Sequence, residues 1–196
     1  PFDDAVFRQA LAKALDIEGL ISVILLDLAE PLDPGLFPDA LPYNNEAIAP
    51  IPYDIDMANE ELDAAGYVDA DGDGWRDQPD GSPITMQILC TTEQTSLDIA
   101  EYIAASFSDV NIQAEATPVD PMGFRPALKA ADFDAALGNP GFGEPGMIRY
   151  YLGSDRGELD EEGQVVGFNF GGYASEAFDE IASASRMAFE QEARYD

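Results

Sequence analysis

Aspartates at alternate positions dominate the chemistry this chain can offer. Asp69, Asp71 and Asp73 are followed by Gly74, then Trp75, Asp77 and Asp80. Calcium takes hard oxygen ligands, and a tight loop can aim alternate side chains at one point. Counted as a twelve-position loop, the three aspartates occupy positions one, three and five, with Gly74 as the turn glycine at six. Trp75 offers its carbonyl at seven, Asp77 stands at nine and Asp80 at twelve. The spacing therefore predicts a structural Ca2+ held by Asp69, Asp71, Asp73, Trp75, Asp77 and Asp80, and no other cofactor. Two features depart from that pattern. Arg76 replaces an apolar residue at eight, and Pro79-Asp80-Gly81 reads as a turn where a helix would leave. The alternative is a solvated acidic turn between a helix and a strand.

The elements around this loop are legible. Asp54 is placed to cap a helix, with Ile55, Ala58 and Leu62 on one face and Gly66 as its left-handed stop. Ile84, Met86, Ile88 and Cys90 alternate along a strand at 84–90, so Cys90 is expected as a buried thiol. Helices are expected at Ala5 to Leu15, at about Glu18 to Leu28 and at about 95–107, and a strand from Val110 to Val119. A helix at about Met122 to Ala131 precedes a strand from Phe133 to Leu137. A short helix near Gly146 to Leu152, an acidic hairpin-like stretch from Asp155 to Val166 and a final helix from Ser175 complete the pattern. Six prolines between residues 30 and 53 forbid a long helix or central strand there. The β-α-β-α-β order predicts an α/β fold with a mainly parallel sheet flanked by helices.

Five segments, in order, carry a resemblance: PFDDAVFRQALAKALDIEGLISVIL at the start, the helix-and-loop stretch 53–84, SLDIAEYIAASFSDVNIQAEATPVD, PALKAADFDAALG and NFGGYASEAFDEI. Together they resemble the extracytoplasmic solute-binding proteins of ABC importers, in the branch that carries oligopeptides, dipeptides and nickel. The resemblance implies a periplasmic-binding-protein-like (type II) lobe. Residues 1–196 are expected as a single domain, the C-terminal-side, ligand-binding lobe of a two-lobed protein. It further implies capture of a peptide or similar small solute and its delivery to ABC permease membrane subunits. The place would be the periplasm or cell surface, with the full-length protein held by a lipid or signal anchor. The chain opens in helix-entry sequence and stops within a helical pattern, as an excised lobe would.

Ligands of open α/β sheets sit outside the carboxyl ends of strands. That directs attention to the glycine-rich loop after Leu137, with Asn139 and Phe142 as its contact residues, and to 167–173, with Asn169 and Tyr173. Family carriers of peptides show a stacking Trp and an amine-pairing Asp in the first loop. Here Asn139 stands at the Trp position and Phe142 near the Asp position. The departure weakens the case for a free peptide amine and leaves room for a neutral ligand, a sugar or a capped peptide.

Composition excludes other classes. Thirty-nine acids face nine Lys plus Arg, a net charge of −30, so no basic patch for nucleic acid or anionic lipid can form. Only Lys13 and Lys129 are lysines, a balance that points to adaptation to high salt. Histidine is absent, which removes His-based triads and the commonest general base. No phosphate-cradling glycine motif occurs. No apolar run reaches membrane-spanning length, and no signal-peptide pattern is present. A calcium-stabilised extracellular structural or adhesion domain is the alternative function, and a carboxylate-based hydrolase a third.

Overall fold

The structure is a computed structural model that describes residues 1–32, 48–138 and 145–187. It divides into two compact units where a single domain is expected from sequence. The first holds Pro1–Pro31, Ala49–Pro121 and Phe133–Gly138; the described part of the second holds Leu32, Ile48, Met122–Asp132 and residues 145–187.

The first unit is built on a three-stranded parallel sheet in the order β2-β1-β3, where β1 is Thr85–Thr91, β2 Gln113–Val119 and β3 Ala135–Ala136. As the central strand, β1 buries Met86, Ile88 and Cys90 as its alternation predicts, and Leu89 on its other face as well. Burial and the nearby charge of Glu101 push the Cys90 thiol up. Helices α1 (Ala5–Ala14) and α3 (Ile55–Ala65) supply Phe7, Ala10, Leu11, Ala14, Ala58 and Leu62 to the same core. Both begin at an aspartate that accepts a first-turn N–H: Asp4 from Val6 and Asp54 from Met57, each at 2.8 Å. Gly66 ends α3 at φ +89°, as its type and position predict. Lys13 at the end of α1 pairs with Glu61 of α3 at 2.7 Å, and the Asp54 N–H donates to the Lys13 carbonyl.

Helix α2 (Ile17–Ile24) is shorter than its apolar pattern suggests. Leu26 and Asp27 turn into the left-handed region, and the Asp27 N–H reaches back to Ile21 O, closing the helix end. Against α4 (Gln94–Ser108), α2 presents Gly19, where a side chain would stand 2.6 Å from the Tyr102 hydroxyl. Val110 and Ile112, expected in a strand, are fully buried in the turn out of α4. Asn111 sits there at φ +58°, and the Ile112 N–H bonds to Phe107 O. Their alternation records burial of the turn, and ladder pairing starts only at Gln113.

In the second unit, α5 is Pro121–Ala130 in extent, α6 Ile148–Leu152 and α7 Glu176–Met187. The expected acidic hairpin is reduced to one antiparallel bridge, Leu159 to Val165. Its turn is closed by Asp160, whose carboxylate accepts the N–H groups of Glu162 and Gln164. No helix among the described residues is long and apolar enough to cross a membrane.

Candidate functional site

The Asp-rich loop folds through its own carboxylates. Asp69 accepts the N–H groups of Gly72 and Gly74, Asp71 that of Asp73, and Asp73 that of half-buried Trp75. Gly72 and Gly74 take φ of +84° and +97°, values that a side chain would strain. Buried Asp77 accepts from Ala70. One oxygen each of Asp69, Asp71 and Asp77 converge to within 4.8 Å of one another. Asp73 does not join that group. Asp80 turns to its own corner, where it accepts the N–H and hydroxyl of Ser82, contacts that hold its carboxyl below the usual range. Of the five aspartates in the predicted calcium set, three are thus brought together.

Arg76, read from sequence as a mismatch, is the pin of this region. Its guanidinium is buried. It donates to Val110 O and Asn59 Oδ1, both at 2.9 Å, and to Tyr67 O and the Asp63 carboxylate. Its own N–H donates to Asn111 O. One side chain therefore joins α3, the loop and the turn after α4. Arg76, Asp63, Val68, Asp69, Gly74 and Asn111 line a cavity of about 320 Å³. A lone cation in an acidic loop was the available signal; its carbonyl partners come from distant sequence.

In the second unit, Asn169 and Tyr173 are brought together. Asn169 is 1% exposed. Its amide donates to Gly153 O and Tyr173 O at 3.0 and 2.7 Å, and its side-chain oxygen accepts the Tyr173 N–H at 3.1 Å. The two amide hydrogens are therefore spent on backbone, and Asn169 fixes the loop that presents Tyr173. Tyr173 is 48% exposed, its ring edge-on to Phe178. Phe168 and Phe170 lie in a bend, not a strand, with rings 6.1 Å apart; Tyr151 packs on Phe168 at 6.0 Å. Gly167 allows this path, since a side chain there would meet Arg156 O at 2.5 Å.

Next to Tyr173, residues Ser154, Ala174, Ser175, Glu176, Asp179 and Ser183 line an open pocket of about 540 Å³. Asp179 accepts the Ser154 N–H at 3.0 Å; hydrogen bonding from the Ser154 side chain first, and then from its N–H, lowers the carboxyl pKa, with Arg149 adding a smaller effect. Asn139 and Phe142 lie outside the described residues.

Comparison with known proteins supplies the wider frame. Residues 1–157 match the family described as "Bacterial extracellular solute-binding proteins, family 5 Middle". The glutathione-binding protein GsiB of Salmonella choleraesuis is 26% identical over 162 residues, 82% of this chain and 27% of its own length. The periplasmic oligopeptide-binding protein of an oligopeptide ABC transporter from Thermotoga maritima superposes with a TM-score of 0.85 at 23% identity. That match covers 100% of this chain and 38% of its own. The same protein has been crystallised with mannohexaose. The oligopeptide-binding protein AppA of Bacillus subtilis, in complex with a nonapeptide, superposes at 0.82 with 21% identity, over 99% of this chain and 38% of its own. The chain thus spans about a quarter of the length of the curated relatives it matches.

Proposed function

Because the chain belongs to family 5 of the bacterial extracellular solute-binding proteins, we propose that it is part of the solute-capturing component of an ABC importer. The family match over residues 1–157 is the observation that carries this reading, and the α/β fold with its parallel sheet agrees with it. In this account the whole protein works outside the cytoplasm. It closes on a peptide or similar small solute by hinge motion, and the closed form is what permease subunits recognise. No bond is made or broken; selection and delivery are the whole mechanism. The relatives' ligands range from a nonapeptide to mannohexaose, so the fold tolerates either class.

The ligand-facing side chains in this reading are Asn139, Phe142 and Tyr173, with Asn169 holding the Tyr173 loop in place. The half-exposed ring of Tyr173 and the buried, fully bonded amide of Asn169 support that division. A structural Ca2+ at the Asp-rich loop is a second element of the proposal, favoured by the converging oxygens of Asp69, Asp71 and Asp77.

Equilibrium dialysis of the full-length protein and of this segment against labelled oligopeptides and oligosaccharides tests the reading. The full-length protein is expected to bind one class, and the segment at least about tenfold more weakly, about 1.4 kcal/mol, because most of the enclosing wall is absent. Equal affinity in the two would contradict a shared cleft.

A further inference from the structure

Among the described residues four cations meet acids, and Arg8, which has no ion pair, donates instead to the Phe2 carbonyl. Lys13 pairs with Glu61, Arg76 with Asp63, and Arg149 and Arg156 with Asp155. Arg125 and Lys129 are different. Among the described residues neither has a carboxylate within ion-pair distance, although acids outnumber bases 39 to 9. Both lie on α5, four residues apart and so on one face, and the helix contains no Asp or Glu.

The geometry around Arg125 is built. Its guanidinium carbon lies over the Phe168 ring, 4.7 Å from the centroid. Such stacking is favourable and restrains the side chain, and it leaves the in-plane N–H edges for a planar anion. Phe168 is itself held by Tyr151 and Phe170. The loop that carries it is tied to α5 by the Val165 N–H, which donates to Lys129 O at 2.9 Å. On its other side the loop is fixed by the close approach of Gly167 to Arg156 and by the Asn169 amide. Phe168 keeps 37% of its surface in solvent, and Arg125 is exposed.

We infer that Arg125 and Lys129, with Phe168 as platform, form a subsite for a carboxylate of the transported solute. The inference rests on the solute-binding reading above and narrows it to anionic ligands. A carboxylate suits the site because a guanidinium fork bonds it through two parallel N–H donors. A polyanion does not suit it, because the surrounding net charge of −30 repels anything larger than a local anion.

The test uses the full-length protein and two pools of hexapeptides without charged side chains, one of free acids and one of carboxy-terminal amides. After gentle exchange, bound peptide is released by denaturation and quantified by mass. The wild type is expected to retain acids about tenfold over amides, equivalent to about 1.4 kcal/mol. Arg125→Gln should abolish that preference, Phe168→Leu should reduce it and Arg125→Lys should keep part of it. Retention of both pools equally by the wild type would overturn the subsite while leaving the carrier reading intact. Acid preference that survives in the Arg125→Gln/Lys129→Gln double variant would overturn it too. Retention of neither pool would overturn the peptide reading and this inference with it. The near-ultraviolet circular dichroism of each variant confirms that it is folded.

Discussion

Replacing Arg76 with Met keeps the aliphatic stem and removes the guanidinium that joins three parts of the first unit. The Val110 and Tyr67 carbonyls that it serves belong to residues only 0% and 3% exposed. A buried polar group left without its partner costs about 1–3 kcal/mol. Two such groups give about 2–6 kcal/mol, and water entering from the adjacent cavity would recover part of it. The ion pair to Asp63 adds little, because that carboxylate is 63% exposed and well screened. The expected loss is therefore about 3 kcal/mol, which for a chain of this size lowers the melting point by about 6–12 °C. Urea unfolding at constant salt, followed through the fluorescence of Trp75, reads this unit directly, since Trp75 is the one tryptophan and adjoins Arg76. A loss under about 1 kcal/mol would mean that the carbonyls find water or each other, and would refute the pin.

Four further outcomes follow from the same contacts. Asn169→Ala should cost about 2–3 kcal/mol in the second unit by orphaning two carbonyls and an N–H; hydrogen exchange over 150–175 should rise, and unchanged protection would contradict the bracket. The Asp80 and Asp179 carboxyls are held below 3.8, so what they contribute is present above that value and lost as pH falls through the depressed folded-state pKa. Asp179→Ala should therefore flatten the acid limb of a stability–pH curve, and an identical limb would count against the Ser154 contact. The Tyr67 phenol is raised by burial, then by its hydrogen bond to Asp4 and that group's charge. Its contribution is complete below about pH 10 and lost above it, so Tyr67→Phe should remove part of the alkaline loss of stability seen in melts. Finally, the carboxylate excess predicts a melting temperature that climbs between about 0.1 and 1 M KCl as the screening length shrinks from about 10 to 3 Å; a flat profile would argue against adaptation to high salt.

Local signals read well in this chain. Asp54 and Gly66 bound α3 because capping chemistry acts within a few residues, and the alternation of Ile84 to Cys90 marks a buried strand face because β1 is central. The parallel pairing followed from helices separating the strands. Where partners lie far apart in sequence, the pattern was silent or misleading. Arg76 read only as a departure from the calcium-loop pattern, because its acceptors, Tyr67 O and Val110 O, come from 9 and 34 residues away. Val110 and Ile112 alternate like a strand, yet a buried turn needs the same apolar residues. Asn169 and Tyr173 are each named from the sequence as ligand contacts, but the amide's role as a backbone bracket was not legible, since Gly153 stands 16 residues earlier. The stack of Arg125 on Phe168 joins residues 43 positions apart and left no local trace.

The central claim is that this chain belongs to a protein whose work is to hold a small solute. Native mass spectrometry of the full-length protein, purified gently in salt and then denatured, asks this without choosing a ligand beforehand. A single non-covalent cargo released on denaturation, near one molecule per protein, is the predicted result. A protein that carries nothing, and whose melting temperature does not move with oligopeptides or oligosaccharides, would contradict the account.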